Sequence, residues 1–442
     1  MRHAARTLPA VAFAVFSFAS VADANPLQEE LTLLLESHPQ IREARANYRA
    51  AQALTDDAFS KFLPQLNATG DKGFESIDSP GRRAAADGDT SRLARESASL
   101  EASLNLFDGF LKEANLDSAD AAARVARETL ESVTQTTLST ALTTYINVLL
   151  QKEKYKKFDD LINVIQSQID LQRQAVGETV NQIDLLSLVA AEQRNRTAQV
   201  GFDGIFKNFV YQYAQTFGDM PDLGNMTPVT IPYDLMPAST EELEEIVLAN
   251  NPQIMVTREQ VDQATHQVRA AQSTSYPTFT LKGTQNYESN VDTVRGVRRD
   301  YSILLEGRWN LFDGFGTQAR TSAARQQEVA ARNRNRFAHR QVIQEAKSAW
   351  NNYQTARQQI DLAEESASTA REIADIQLDR LNNGVGTSLE YLAAEEASLL
   401  ADITLVDTRT TMMVSAYQVL FAMGRLTPGI FGLETASLDE RN

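Results

Sequence analysis

A duplicated motif, Leu-Phe-Asp-Gly-Phe, constrains this chain more than any other feature. It occupies residues 106–110 and returns at residues 311–315. Each copy ends a stretch in which apolar and polar residues alternate, and each opens a long segment without proline. Asp is a good helix N-cap, and Gly lets the backbone turn sharply. We therefore predict that a β-strand ends and a long helix begins at each copy. The residues predicted to form these two junctions are Asp108, Gly109, Asp313 and Gly314.

A second pair of landmarks, Pro64 and Pro277, precedes the alternating stretches and ends a helical segment in each half of the chain. The two prolines are 213 residues apart, whereas Asn105 and Asn310 at the later junctions are 205 residues apart. The sequence therefore predicts two copies of one plan: helix, proline, strand, loop, strand, Asp-Gly turn, long helix and return helix. An internal repeat decides architecture before local propensity does.

Five segments follow from this plan. Residues 1–24 predict a secretory signal peptide, with a basic start, an apolar run and a small-x-small cleavage site. The alternative is a membrane anchor, but the apolar run has about 14 residues and a membrane-spanning helix needs about 20. Residues 25–217 form the first repeat and residues 241–426 the second, with a linker rich in Pro and Gly at 218–240. The acidic residues 427–442 predict a weakly ordered tail.

The alternating stretches have the length and pattern of membrane-spanning strands. Each runs for about 10–12 residues, which suits a tilted strand that crosses a bilayer. One face of each stretch is apolar and the other is polar, with Ser99 and Ser302 on the polar faces. The residues predicted to face lipid are Leu100, Leu104, Ile303 and Leu305.

Four strands per chain are too few to close a membrane barrel. The smallest common barrels have about eight strands, and open sheet edges are not tolerated in lipid. If these strands enter a membrane, several chains must pool them, and a trimer is one solution. The alternative is a soluble β-hairpin packed on a helix, which alternation does not exclude.

The helical segments are too long for an ordinary globular domain. Residues 110–176 predict a helix of about 100 Å at 1.5 Å per residue. Apolar residues recur at spacings of three and four in both long segments, and the second seam runs from Ile343 to Leu381. Such a narrow seam suits helices that pack side by side, and a plain dimeric coiled coil is the alternative. Each long helix is predicted to stop at a glycine and to be followed by an acid in the first turn of a return helix. These residues are Gly177, Asp184, Gly384 and Glu390.

Composition excludes several function classes. A net charge of −16 argues against nucleic acid as a partner. The chain has no cysteine, so disulfides, thiolate metal sites, a cysteine nucleophile and a lipidated N-terminal cysteine are excluded. The four histidines lack the paired spacing of metal ligands. With no nucleophile–base set and no phosphate-binding loop, we expect neither an enzyme nor a bound metal or cofactor.

On these residues the chain resembles the TolC-like outer-membrane efflux and secretion channels. The resemblance rests on the duplicated plan, the proline before each first strand, the Leu-Phe-Asp-Gly junctions and the glycine–acid spacing at the helix turns. It implies a mostly α-helical fold with a β-barrel part. It also implies a trimer, in which each chain gives four strands to a twelve-stranded membrane barrel. The barrel would continue into a coiled-coil tunnel. The resemblance also implies the outer membrane of a Gram-negative bacterium, with the tunnel reaching into the periplasm.

By the same resemblance, the chain is expected to be the passive exit duct of a tripartite export system. Its partners would be an inner-membrane ABC or proton-driven transporter and a periplasmic adaptor, and the barrel would contact outer-membrane lipid. The expected cargo is a type I secreted protein, because strands ending in Leu-Phe-Asp-Gly-Phe resemble those of members that serve protein secretion. The alternative is the outer-membrane channel of a multidrug efflux pump. A soluble periplasmic coiled-coil adaptor is a more remote alternative.

The resemblance also assigns an entrance. Glu390 matches the family position of an acidic ring at the narrow periplasmic mouth, and Asp184 matches the acid of the first turn. Ala393 stands where some members carry a second Asp. Leu381 and Gly386 stand where some members carry the Tyr and Arg that latch the entrance shut. The alternative role for both acids is helix capping.

Overall fold

The structure, a computed structural model, describes most of the chain. The described residues are 26–77, 80, 93–174, 182–293 and 295–433. The predicted signal peptide at 1–24 and the predicted turn residue Gly177 lie outside them.

The helices and strands follow the duplicated plan in both halves. The first copy contains α1 (Pro26–Ser37), α2 (Pro39–Ser60), β1 (Gln65–Glu75), β2 (Leu93–Phe107), α3 (Leu111–Gln174) and α4 (Gln182–Phe217). The second contains α5 (Thr240–Asn250), α6 (Pro252–Ser273), β3 (Thr278–Ser289), β4 (Val297–Arg308), α7 (Gly316–Asn382) and α8 (Ser388–Ala422). Short 3₁₀-helices lie at Tyr233–Leu235, Val291–Thr293 and Pro428–Phe431. The elements correspond one to one in order, so the predicted internal duplication is confirmed.

The two long helices, α3 and α7, dominate the molecule. They contain 64 and 67 residues, which corresponds to about 100 Å each at 1.5 Å per residue. No proline interrupts either helix. Helix α3 packs on α2 and α4 of its own copy and on α6 and α8 of the other, while α7 packs on α6 and forms a hairpin with α8. No helix among the described residues is long and apolar enough to cross a membrane.

The buried face of α7 differs from the seam predicted from Ile343 onward. Val342 is buried, whereas Ile343 is half-buried and Arg357 is exposed. Alanines supply most of the face, and a small side chain lets a neighbouring helix approach closely. The predicted stripe followed a strict spacing of three and four, which took in buried alanines such as Ala346 but also charged positions such as Arg357, and was therefore partly wrong. The alanines of this buried face are Ala324, Ala331, Ala338, Ala346, Ala349, Ala356, Ala363, Ala367 and Ala374.

The four strands form one antiparallel sheet in the order β1-β2-β3-β4. Leu104 of β2 lies opposite Leu281 of β3, and Leu281 lies opposite Leu305 of β4. Residues opposite each other across strands share a face, and every second residue along a strand returns to that face. The predicted set of Leu100, Leu104, Ile303 and Leu305 therefore lies on one face, as the alternation indicated.

The opposite face of the sheet is hydrogen-bonded through polar side chains. Ser99 donates to Asn286 Oδ1 at 2.7 Å, and Asn286 Nδ2 donates to Asp300 at 3.0 Å. The hydroxyls of Thr284 and Ser302 lie 2.7 Å apart. Lys282 pairs with Glu101 at 2.9 Å on the same face. The predicted division of the sheet into an apolar and a polar face is confirmed.

The main hydrophobic core lies halfway along the long helices and holds the linker in place. Tyr145 of α3 is fully buried, and its hydroxyl donates to the carbonyl of Thr227 at 3.1 Å and accepts from the Thr227 N–H at 2.8 Å. Tyr417 of α8 donates to the carbonyl of Thr230 at 2.7 Å. The linker is therefore held against the long helices at Thr227 and Thr230.

The same core corrects the predicted weakly ordered tail. Residues 427–433 belong to the folded body: Pro428 is buried, and Phe431 stacks on Tyr417 with a centroid distance of 6.3 Å. Gln28 of α1 donates to the carbonyl of Phe431 at 2.8 Å. The prediction followed the acidic composition and overlooked the apolar residues at the start of the segment. Residues 434–442 lie outside the described part of the chain.

Candidate channel entrance and strand–helix junctions

The first strand–helix junction is a capped turn. Asp108 is buried, with 6% of its surface exposed, and its Oδ1 accepts from the N–H of Leu111 at 2.9 Å. Gly109 and Phe110 both have positive φ, at 73° and 67°. The carboxylate supplies an acceptor for a helix N–H that has no partner within the helix. A positive φ is rare in a non-glycine residue such as Phe110. Its energetic cost must therefore be offset by contacts around the turn.

The second junction repeats this geometry. Gly314 and Phe315 have φ of 66° and 67°. Asp313 Oδ2 accepts from the N–H and the hydroxyl of Thr317, each at 2.7 Å, and from Arg320 at 2.9 Å. These hydrogen bonds, that of the Thr317 side chain above all, lower the pKa of Asp313 below its ordinary value. The two aromatic residues of each motif meet edge to face, at 5.3 Å in the first copy and 5.5 Å in the second.

The predicted entrance turn joins α7 to α8. Gly384 has φ of 72°, and its N–H donates to the carbonyl of Leu381 at 3.0 Å, so the helix stops just before it, at Asn382. Thr387 and Glu390 then form a capping box. The Thr387 hydroxyl accepts from the Glu390 N–H at 3.2 Å, and the Glu390 carboxylate accepts from the Thr387 N–H at 3.1 Å. Glu390 lies in the first turn of the return helix and is exposed.

Asp184 occupies the corresponding position in the first copy. It lies in the first turn of α4 and is half-buried. The two return helices begin at the same end of the molecule, because Gln172 near the end of α3 donates to the hydroxyl of Ser388 at 3.2 Å. An apolar cluster of α3, α4 and α8, which includes Ile165, Leu188 and Leu392, packs behind both turns. The structure thus places Glu390 and Asp184 on neighbouring helix hairpins at one end of the helical part.

Sequence reasoning missed an ionic cluster that joins α3 to the α7–α8 hairpin. The side chain of Asp402 in α8 is 8% exposed. Its Oδ2 accepts from Lys157 of α3 at 2.7 Å, and its Oδ1 accepts from Nε and Nη2 of Arg371 in α7 at 3.0 and 2.7 Å. Burial raises the pKa of this carboxyl, but the hydrogen bonds from Lys157 and Arg371 outweigh burial, so that the pKa is lowered overall. Asp402 therefore links three helices as an ionised group.

A buried cation, Lys154, lies beside this cluster. The side chain of Lys154 is only 4% exposed and pairs with Asp407 of α8. Asp402 interrupts an apolar run of α8, residues 399–406, where a buried charge is costly without a partner. An acidic residue within an apolar run could have indicated a buried ion pair. It does not indicate that Lys157 and Arg371 are the partners.

Comparison with known proteins places the chain in a family. The model of the outer membrane efflux protein family matches residues 31–199 and 243–425. Outer membrane efflux protein BepC of Brucella suis is 25% identical over 345 residues, which cover 75% of this chain and 72% of BepC. Outer membrane protein TolC of Escherichia coli is 23% identical over 439 residues, which cover 94% of this chain and 85% of TolC.

Solved structures of outer-membrane channels share the fold. The outer membrane protein VceC of Vibrio cholerae superposes with a TM-score of 0.76 at 16% identity, over 90% of this chain and 96% of VceC. The outer membrane channel CmeC of Campylobacter jejuni gives a TM-score of 0.77 at 17% identity, over 90% of this chain and 85% of CmeC. The predicted resemblance, fold class and outer-membrane location are confirmed. With the duplicated helical plan, the four-stranded sheet and the family match to both halves, the chain belongs to the outer membrane efflux protein family, as an efflux channel with the fold of the solved outer-membrane channels.

Proposed function

We propose that the protein is the passive exit duct of a tripartite export system, assembled from three chains that pool four strands each. One observation carries this proposal. A single chain presents a sheet with one apolar and one polar face and with two edge strands, β1 and β4, and helices of 64 and 67 residues continue from it. A closed barrel gives partners to these edges, turns the apolar face to lipid and leaves the polar face around a water-filled passage. The mass of the assembly in detergent tests the copy number.

The helices carry the passage from the sheet toward an inner-membrane transporter, either an ABC transporter or a proton-driven one, and a periplasmic adaptor. We propose that the end with Glu390 and Asp184 is the periplasmic mouth, because it lies at the far end of the long helices from the sheet. Symmetry repeats each residue around the axis of an assembly. Three copies of Glu390 there form an acidic ring that favours cations. The capping box leaves the carboxylate exposed, so capping and a ring are compatible.

For the cargo, we propose a type I secreted protein. The motif Leu-Phe-Asp-Gly-Phe overlaps the end of β2 and follows the end of β4, so it occurs twice between the sheet and a long helix. Multidrug efflux is the second candidate. The observation that favours it is the name of a relative, outer membrane efflux protein BepC, to which the chain is 25% identical.

Deletion of the gene, scored in two ways, separates the two cargoes. The culture medium is examined for proteins that disappear on deletion, and the cells are tested for increased sensitivity to a panel of toxic compounds. Loss of secreted proteins without a change in sensitivity supports secretion, and the reverse supports drug efflux. Complementation with the intact gene must restore either phenotype. If neither changes, or the protein purifies as a monomer, the exit-duct proposal is wrong.

A further inference from the structure

Arginines form an exposed stripe along the first part of α7. Residues 316–342 contain six arginines and one acid, Glu328, in a chain whose net charge is −16. Three of these arginines, Arg325, Arg332 and Arg336, are spaced by seven and four residues, which places them on one face of the helix. All three are exposed. Arg332 donates to Glu328 at 3.1 and 2.6 Å, whereas Arg325 and Arg336 form no ion pair with any residue that the structure describes.

Two arginines of the neighbouring helix α6 lie beside this stripe. The side chains of Arg258 and Arg269 are 70% and 62% exposed, and their spacing of eleven residues is about three turns, so that they share one face. Asn335 of α7 donates to the hydroxyl of Thr257 at 3.0 Å. Because these two residues adjoin Arg336 and Arg258 in the sequence, the two arginines lie at the same level. The arginine patch consists of Arg258, Arg269, Arg325, Arg332 and Arg336.

Nearby acids offset only part of the charge of the arginine patch. Arg258 lies 3.9 Å from Glu259, but Glu259 already accepts a hydrogen bond from Arg124 of α3 at 2.6 Å. Arg269 lies 4.0 Å from Asp117 of α3, which is the outer limit of an ion pair. The patch therefore keeps most of its positive charge.

The arginine patch lies on the side of the helices that carries the linker. Arg332 and Trp350 are 18 residues apart, which is five full turns, so they occupy the same face of α7. On α6, Ile254 precedes Arg258 by about one turn. Ile254 and Trp350 both pack in the core that contains Val229 of the linker. A passage along the helices needs the side that the linker leaves free, so the patch faces the surroundings of the tunnel and not its interior.

The arginines are not part of the duplicated plan. At the offsets of 205 and 213 residues between the copies, three of the five positions carry an acid in the first copy. The fold that both copies share therefore does not require arginine at these positions. The counterparts are Asp120 for Arg325, Glu131 for Arg336 and Asp56 for Arg269.

The stripe on α7 also has an energetic cost. Arg332 and Arg336 are four residues apart, and like charges at this spacing repel each other and destabilise a helix. Between residues 316 and 342, Glu328 is the one acid in the sequence that can offset this repulsion. A run of one sign of charge that the fold neither needs nor stabilises indicates an interaction with a negatively charged partner.

We propose that the arginine patch binds the cell wall, through the free carboxylates on the peptides of its glycan. This inference rests on the proposed function, which places the long helices in the periplasm, the compartment that holds this polymer. A guanidinium group presents two parallel N–H donors to a carboxylate. Arg325 and Arg336 are eleven residues apart, or about 16 Å along the helix, so the patch suits a polymer that carries carboxylates at intervals.

An anionic membrane surface fits the arginine patch less well. The sheet ends before α7 begins at Gly316. Arg325 and Arg336 follow Gly316 by nine and twenty residues, which is about 14 and 30 Å along the helix. Electrostatic attraction in physiological salt decays over about 8 Å, so lipid headgroups at the level of the sheet end would not hold Arg336. The patch therefore faces the periplasmic space below the membrane.

Co-sedimentation with purified, protein-free cell-wall sacculi tests this inference. The intact protein in detergent should sediment with the sacculi, and binding should weaken as salt is added, because salt screens exposed charges. The variant Arg325→Gln/Arg336→Gln should bind about fivefold more weakly, because each exposed charge contact contributes only modestly. Both side chains are exposed, so this variant should fold and keep its mass in detergent.

A matched control removes two charges elsewhere. Arg194 and Arg196 of α4 have side chains that are 65% and 49% exposed. The variant Arg194→Gln/Arg196→Gln changes the net charge by the same amount and should bind sacculi like the unchanged protein. Equal binding by both variants would show that the contact lies outside the arginine patch, and absence of binding by the unchanged protein would also overturn the inference.

The remaining outcomes identify other partners and separate this inference from the proposed function. Binding only to sacculi that retain their attached proteins would mean that an acidic protein is the partner. Stronger binding to vesicles of phosphatidylglycerol than to sacculi would mean a membrane contact, and either result contradicts the inference. A protein with three times the chain mass in detergent that does not bind sacculi leaves the duct proposal intact. A monomer that binds sacculi through Arg325 and Arg336 gives the reverse result.

Discussion

Replacing Asp402 with Asn should loosen the attachment of α3 to the α7–α8 hairpin. Removing one partner of a fully buried ion pair costs about 3–5 kcal/mol, because the remaining charge is left buried. In this cluster Lys157 and Arg371 are 35% and 49% exposed, so water can compensate in part for the lost carboxylate. The Asn amide also keeps one acceptor oxygen. We therefore expect Asp402→Asn to lower the local unfolding free energy by about 2 kcal/mol.

The same hairpin offers a matched control. Arg409 of α8 and Glu364 of α7 form an ion pair at 2.9 Å, with side chains 41% and 52% exposed. Exposed pairs contribute about 0–1 kcal/mol, because water screens them and both side chains lose freedom. Glu364→Gln removes one charge of the same sign from the same pair of helices. It should therefore have a much smaller effect than Asp402→Asn.

Amide hydrogen exchange, measured by mass spectrometry on peptides that cover residues 395–410, reports the local opening of α8. A loss of about 2 kcal/mol makes opening about 30-fold more frequent. We expect exchange in this segment to be faster by about that factor in Asp402→Asn, and by less than about fivefold in Glu364→Gln. Peptides from the sheet should be unchanged in both variants. If Asp402→Asn exchanges no faster than Glu364→Gln, the buried cluster does not fasten the helices and the reasoning from burial is refuted.

Three further predictions follow. The pKa of Asp402 is lower in the folded protein than in the unfolded chain. Its contribution to stability is therefore fully present above the unfolded pKa of about 3.9, and it is lost as the pH falls through the folded pKa. Exchange in residues 395–410, corrected for intrinsic rate, should thus be unchanged from pH 7 to 5. Ile303→Arg should cost about 2–4 kcal/mol of barrel stability in denaturant unfolding from lipid vesicles and Ser302→Arg little, and equal losses would contradict the assigned faces. Glu390→Ala should lower cation selectivity in planar bilayers while export changes less, and unchanged selectivity would leave Glu390 only its capping role.

The repeat and the strand faces were predictable because they depend on local patterns. A strand repeats every two residues, so alternation alone assigned Leu104 and Ser99 to opposite faces, and the pairing register confirms it. The junctions were predictable because an Asp-Gly step has few conformational roles. A short motif alone is ambiguous evidence for a strand–helix junction. Because the duplication places the same motif at Asp108 and at Asp313, each occurrence supports the assignment of the other.

Contacts between distant residues were not predictable in the same way. Asp402 lies 245 residues from Lys157 in the sequence and 31 residues from Arg371, and no local pattern connects them. The ordered segment 427–433 was missed because its packing depends on Tyr417 and Gln28, which no local pattern connects to it. The capping box at Glu390 is visible in the sequence as the motif Thr387-x-x-Glu. The motif does not show whether Glu390 only caps the helix or also forms an acidic ring.

Duplication raises a problem of specificity that the charged side chains between α3 and α6 address. Two similar copies can pack interchangeably, so that a long helix could take the wrong partner. Arg124 of α3 meets Glu259 at 2.6 Å and also pairs with Asp262, both on α6. At the offsets of the repeat, Arg124 corresponds to Val329 and Asp262 corresponds to Arg49.

If α2 took the place of α6 beside α3, Arg124 would lie beside Arg49, and the acids of α6 would lose their partner. Like charges would then meet, and the carboxylates of Glu259 and Asp262 would be left without Arg124. These pairs are partly exposed and add little to stability, but the exchange would both remove them and bring like charges together. The charges at Arg124 and Asp262 thus favour the packing of α3 on α6 over the alternative that the duplication would otherwise allow.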